Sequence, residues 1–171
     1  MSGFIKETVI ASLLIFFLPP AMAINALDSM NKALFYKTID DNATQVAVPS
    51  PSANAEKIDA LSRTLLSSAY VGGSVGEGEQ GKYDKDPLMR FDVFDCTTYI
   101  ETVLAGAMSS DSEEFEANLM RLRYKDAQVS FVTRNHFPSL DWFHNNQAIL
   151  QDITPDVANG GAKVAQTTID K

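Results

Sequence analysis

The chain has a single cysteine, Cys96, which lies between an acid, Asp95, and two threonines, where an apolar stretch begins. A cysteine attacks a carbonyl group as its thiolate, and the unpaired N–H groups at a helix N-terminus favour that anion. The same N–H groups can stabilise the oxyanion that develops on a substrate. This placement suits a cysteine hydrolase. The alternative is an inert cysteine that acts as a small buried apolar residue.

A cysteine nucleophile needs a base, and the chain has two histidines, His136 and His144. His136 follows Arg134 and Asn135, and a His–Asn pair is chemically suited to hold and orient a base. His136 is therefore a candidate base, with a contact in the cleft wall or a structural role as alternatives. The two histidines and Cys96 lack the spacing and the fourth ligand of a zinc site. We predict no metal and no cofactor.

The charge and the N-terminal sequence limit which binding partners and which location are expected. The formal net charge is −8 and there is no basic run, which argues against nucleic acid and against an anionic membrane surface. The N-terminus has Lys6, an apolar run over residues 9–18, and then the small-residue sequence that ends at Ala23. This order predicts a signal peptide over residues 1–23, with a retained anchor or a buried helix as the alternative. We expect export to the periplasm or cell envelope, with no transmembrane segment after processing.

Apolar periodicity predicts mostly helices after the signal peptide. Residues 24–55 are expected to form a helix with Asp28 or Ser29 as N-cap, and then a loop containing Pro49 and Pro51. A second helix begins near residue 53 and a third near Cys96, and a fourth has Ser110 or Ser112 as its predicted N-cap. The apolar faces predicted for the second and third helices consist of Ile58, Leu61, Leu65 and Leu66, and of Tyr99, Ile100, Val103 and Leu104. Residues 127–133 alternate and predict a strand, and residues 134–156 predict a loop.

Several segments resemble the N-acetylmuramoyl-L-alanine amidase-like family, a branch of the NlpC-type papain-like cell-wall cysteine hydrolases. They are AYVGGS at residues 69–74, FDVFDCTTYIETVLA at 91–105, LRYKDAQVSFVTRNHFPSLDWF at 122–143 and DITPDVANGGAKVAQTTIDK at 152–171. The resemblance implies an α+β fold over residues 56–171 and hydrolysis of amide bonds in peptidoglycan or muropeptides. It implies that Cys96 is the nucleophile. The residues expected to contact substrate are Tyr70, Gly73, Asp95, Thr97, Arg134, Asn135, His136 and Trp142.

The resemblance also implies a further histidine, in a Ser-His-Val-Gly-like stretch that these 171 residues do not contain. We therefore expect the helical N-terminal half of a papain-like fold, truncated before its catalytic histidine and C-terminal sheet, with weak or no turnover. The alternative function is a non-catalytic remnant or a peptidoglycan-binding module. The sequence does not indicate an oligomeric state.

Overall fold

The computed structural model describes residues 20–43, 51–163, 165 and 168. The described part is mostly helical and contains one small parallel sheet, an α+β arrangement. The elements in chain order are α1 (Pro20–Ala43), α2 (Pro51–Thr64), β1 (Ala69–Tyr70), β2 (Val93–Phe94), α3 (Cys96–Ala107), α4 (Ser112–Arg123), a 3₁₀ turn (Lys125–Ala127), a π-helical turn (Pro138–Trp142), α5 (Phe143–Asn145) and α6 (Thr154–Ala158). Residues 1–19 of the predicted signal peptide and Pro49 of the predicted loop lie outside the described residues. No described helix is both long and apolar enough to cross a membrane.

The core forms where α3 packs between α2 and α4, with α1 against α2 and α4. Phe35 of α1 and Phe115 of α4 meet Phe91 in a cluster of tilted rings whose centroids lie 5.3 to 6.1 Å apart. Gly106 of α3 lets Phe35 approach closely, since a Cβ at Gly106 would lie 2.7 Å from the Cζ atom of Phe35. This packing fixes α3, and with it the position of Cys96.

Helix α1 begins well before residue 28, so the prediction that Asp28 or Ser29 is its N-cap is wrong. Asp28 instead faces the chain just before β2, where its Oδ1 atom accepts a hydrogen bond of 2.6 Å from the backbone N–H of Phe91. One turn later, the side-chain amide of Asn31 donates to the carbonyl oxygen of Phe91 at 2.7 Å. These two bonds satisfy both backbone groups of Phe91 inside the core.

The predicted helix faces are partly wrong. On α2, Leu61 is buried, but Ile58 is exposed because Lys57 occupies the inner side and donates to the carbonyl oxygen of Ser109. Leu66, which follows α2, is also exposed. On α3, Val103 is buried and Ile100 is 50% exposed. The buried face of α3 is instead rich in polar residues, Thr98, Glu101 and Thr102.

The predicted N-cap of α4 is wrong by one residue. Asp111 caps the helix, and its Oδ1 atom accepts a hydrogen bond of 2.8 Å from the backbone N–H of Glu114. Residues 134–156, predicted as a loop, contain the π-helical turn and the short helices α5 and α6. Both differences arise from local hydrogen bonds that a periodic pattern does not reveal.

The predicted strand at residues 127–133 is also wrong. Residues 127–133 form no strand or bridge; an isolated antiparallel bridge between Tyr124 and Arg134 lies on either side of them, and the intervening chain forms turns. Phe131 and Val132 are exposed, so the alternation does not reflect a buried face. The sheet that does form joins β1 and β2 in parallel, with Ala69 opposite Val93 and Tyr70 opposite Phe94.

Candidate functional site

The site begins with the cap of α3. Asp95 is the N-cap residue in an extended conformation, and its Oδ1 atom accepts a hydrogen bond of 2.8 Å from the backbone N–H of Thr98. In return, the backbone N–H of Asp95 donates to the Oγ1 atom of Thr98 at 2.9 Å. This reciprocal pair is a capping box, which fixes where the helix starts. Cys96 is consequently held at the first helical position.

Asp95 also joins the helix start to the glycine-rich turn after β1. Burial by itself would raise the pKa of Asp95, but hydrogen bonds from Thr98 and from the backbone N–H groups of Gly73 and Thr97 outweigh it and lower the pKa below its ordinary value. Gly73 has φ +66°, a left-handed conformation that favours glycine. The carboxylate thus stays ionised and ties the turn to the cysteine.

The Cys96 side chain is exposed, and its Sγ atom lies 4.0 Å from the Oγ1 atom of Thr97. Two cavities meet at this residue. An apolar cavity of about 300 Å³ is lined by Cys96, Thr97, Ile100, Leu104, Pro138, Trp142, Phe143 and Leu150. A second cavity of about 400 Å³ shares Cys96 and Ile100 with the first and includes Tyr70, Phe94, Tyr99 and Leu66. A substrate could therefore approach the thiol through either cavity.

A third, polar cavity of about 290 Å³ brings most of the sequence-predicted contact residues together. It is lined by Gly73, Asp84, Asp95, Thr97, Thr98, Glu101, Arg134, Asn135 and His136. Thr97 also lines the apolar cavity, so the polar and apolar cavities are neighbours. The structure separates the remaining two predicted residues, because Tyr70 and Trp142 line two different cavities at Cys96.

A buried ion pair supports the site and was not identified from the sequence. The Nε atom of Arg123 donates to the Oε2 atom of Glu101 at 2.7 Å, and each side chain is only 2% exposed. The other carboxylate oxygen accepts a hydrogen bond of 3.0 Å from the indole Nε1 of Trp142. Arg123 also donates to the carbonyl oxygen of Leu88. Only two features of the sequence signalled this contact. Glu101 is an acid on the core side of α3, and Arg123 is an arginine within an apolar run.

His136 and Asn135 do not form the pair that the sequence suggested. The amide of Asn135 is buried, donating to the carbonyl oxygen of Leu122 and accepting from the side-chain amide of Asn145. The Nε2 atom of His136 lies 3.0 Å from the carbonyl oxygen of Phe131. Asn135 is thus part of the framework below the polar cavity, while His136 belongs to its wall.

Arg134 also contributes to the framework. Its Nη1 atom donates to the carbonyl oxygen of Val75 and lies 3.5 Å from the Oδ2 atom of Asp84. These contacts attach the cavity wall to the glycine-rich loop. Among the described residues, no group of three or more histidine, cysteine or acidic side chains has an arrangement that could hold a metal ion.

A family model described as N-acetylmuramoyl-L-alanine amidase-like matches residues 60–171. The chain belongs to this family. The predicted resemblance to the N-acetylmuramoyl-L-alanine amidase-like family is thereby confirmed. No protein of curated function matches the chain significantly.

Two solved structures are similar to the chain. One is a Legionella pneumophila protein of the DUF1460 family, with 34% identity and a TM-score of 0.63 over 78% of this chain. The chain spans 44% of that protein's length. The other is a Bacteroides fragilis protein described as a candidate xylanase, with 29% identity and a TM-score of 0.47, covering 56% of this chain and 42% of that one. The fold of the described residues is therefore shared with the Legionella protein.

Proposed function

We propose that the chain carries the nucleophile of an exported, papain-like cysteine hydrolase that cleaves amide bonds in peptidoglycan. The observation that carries this proposal is the position of Cys96, exposed at the first residue of a capped helix where two cavities meet. Family membership supports a cell-wall amidase-like role and a peptidoglycan-related substrate.

The chemistry follows from this geometry. The Cys96 thiolate attacks the amide carbonyl carbon, and a C–S bond forms as the carbonyl oxygen becomes an oxyanion. The Asp95 carboxylate already accepts hydrogen bonds from the backbone N–H groups of Thr97 and Thr98. We therefore propose that the backbone N–H of Cys96 donates a hydrogen bond to the oxyanion. The C–N bond then breaks, the amine leaves with a proton from the general acid, and water hydrolyses the thioester.

We assign the base to a histidine outside these 171 residues rather than to His136. His136 lines the polar cavity, and among the described residues that line the two cavities at Cys96 none is a histidine. Its Nε2 atom is also engaged with the carbonyl oxygen of Phe131. In this proposal, a sheet carrying the base packs beside α3, where Ile100 is half exposed.

Since the described residues place no histidine in the cavities at Cys96, one second candidate is a peptidoglycan-binding module without turnover. Incubation with purified muropeptides, followed by mass spectrometry, separates the two. The hydrolase predicts slow release of a new peptide amine that disappears in Cys96→Ala and persists in His136→Ala. The binding module predicts that wild type and Cys96→Ala both retain muropeptide and that neither releases any amine.

Export is a separate part of the proposal and rests on the N-terminal segment that ends at Ala23. N-terminal sequencing of protein from the envelope fraction should begin at Ile24. Recovery of the uncleaved N-terminus from the cytosol alone would contradict export and leave the assignment of Cys96 intact.

A further inference from the structure

A line of rings on the surface is not accounted for by the core or by Cys96. It consists of Tyr83, Phe131, His136 and Phe137, and we call it the aromatic ladder. Successive ring centroids lie 5.9, 4.8 and 6.4 Å apart. Tyr83 is 64% exposed, Phe131 47% and Phe137 40%. Exposed aromatic residues grouped in this way mark binding surfaces more often than single ones do.

The backbone under the aromatic ladder is held in place by one carboxylate. The Oε2 atom of Glu77 accepts hydrogen bonds from the backbone N–H groups of Tyr83 at 3.0 Å and Asp84 at 2.9 Å. Its Oε1 atom accepts from the N–H of Phe131 at 2.8 Å. These hydrogen bonds lower the pKa of Glu77, and the bond from the backbone N–H of Asp84 has the largest effect. Two rings from sequence-distant loops are therefore set side by side before any ligand binds.

The aromatic ladder leads into the polar cavity, because His136 belongs to both. The cavity adjoins Cys96 through Thr97, which also lines the apolar cavity at the thiol. The carboxylate of Asp84 and the guanidinium of Arg134 line the cavity beside His136. Flat apolar faces beside hydrogen-bonding groups suit a ligand that has C–H faces and polar edges.

We propose that the aromatic ladder binds the glycan part of peptidoglycan, with pyranose C–H faces packed on the rings and hydroxyl or acetamido groups directed into the polar cavity. The substrate class rests on the proposed function, since the amide bond in the family's name has a sugar on one side. A polyanionic partner is disfavoured by the net charge of −8. An apolar helix is disfavoured by the charged side chains Lys82, Asp84 and Arg134 at the ladder.

The test measures binding of tri-N-acetylchitotriose to the protein, monitored by NMR of backbone amides and by calorimetry. The saccharide should shift the amides of Tyr83, Phe131 and His136. Phe131→Ala and Tyr83→Ala should each weaken binding by about threefold to tenfold, the effect of losing one aromatic contact. Val157→Ala is the control, because Val157 is an exposed apolar residue that does not belong to the aromatic ladder, and this variant should bind the saccharide as wild type does. Glu77→Gln, which keeps every ring but changes the carboxylate that orders them, should also weaken binding.

The outcomes are distinguishable from those of the proposed function. Cys96→Ala should bind the saccharide as tightly as wild type, since the aromatic ladder does not include the thiol. Absence of shifts at the ladder, or equal weakening by Val157→Ala, would overturn the glycan assignment even if muropeptides are cleaved. Shifts at the ladder with a stem peptide but not with the saccharide would overturn it in favour of a peptide ligand. Matching circular dichroism spectra show that a variant is folded.

Discussion

Truncation of Glu101 to alanine should destabilise the protein strongly, because it leaves the Arg123 guanidinium buried without its carboxylate. Both side chains are 2% exposed and their contact is 2.7 Å. Removing one partner of a buried ion pair costs about 3–5 kcal/mol. The indole N–H of Trp142 also loses its acceptor. Since a domain of this kind is stable by about 5–15 kcal/mol, Glu101→Ala should remove a large share of the free energy of unfolding.

The assay is urea denaturation followed by circular dichroism, comparing Glu101→Ala with Glu79→Ala. Glu79 is exposed, so its truncation should change the free energy of unfolding by no more than about 0.5 kcal/mol. Glu101→Gln should fall between the two, because glutamine retains an oxygen acceptor for Trp142 but no charge for Arg123. A loss below about 1 kcal/mol for Glu101→Ala, with an unchanged denaturant slope, would show that Arg123 is not left buried and unpaired, because a buried unpaired guanidinium must cost more.

Three further predictions concern α3. Asp95→Ala should cost about 1 kcal/mol through loss of the cap, measured by urea denaturation, and Asp95→Asn should cost less because asparagine also caps. Folding lowers the pKa of Asp95. The stability that the Asp95 carboxylate contributes is therefore fully present above its pKa in the unfolded chain, about 3.9, and is lost as pH falls through its lower pKa in the folded protein. Stability measured from pH 5 down to pH 2 should therefore fall less steeply in Asp95→Asn, and parallel curves would contradict this. Gly106→Ala should destabilise by about 1–2 kcal/mol, because the added methyl group meets the Phe35 ring, although alanine favours the helix; a higher melting temperature would contradict it.

The sequence predicted those elements whose pattern repeats over several turns. Helix α3 begins at Cys96 as expected, because an acid followed by threonines and an apolar run is a strong local signal. Helices α2 and α4 were also found, within a few residues at their starts. The strands β1 and β2 were not predicted, because a strand of two residues is too short to show an alternating pattern. Residues 127–133 do alternate, but no strand of the described chain pairs with them, and the bridge between Tyr124 and Arg134 only flanks them.

The candidate site was partly predictable for the same reason. The residues around Cys96 are local in sequence, and the structure places Asp95, Thr97 and Gly73 together with His136 around one cavity. Contacts that join distant parts of the chain left no readable signal. The hydrogen bond between Glu77 and Phe131 joins residues that are 54 positions apart in the sequence, and the ion pair between Arg123 and Glu101 joins residues 22 positions apart. Such contacts depend on how helices and loops pack, which one sequence does not specify residue by residue.

The proposed role of Cys96, a nucleophile placed to attack an acyl group, can be tested with an activated ester. A nitrophenyl ester of N-acetylmuramic acid needs no proton for its leaving group, so its acylation of Cys96 requires the thiolate but no general acid. The thiolate should displace nitrophenolate and form a thioester, detected by mass spectrometry as one adduct on Cys96. The adduct should be absent in Cys96→Ala and unchanged in His136→Ala, and should form faster in folded protein than in urea. An adduct that persists in Cys96→Ala, or one that forms no faster on the folded chain than on the unfolded chain, would contradict the account.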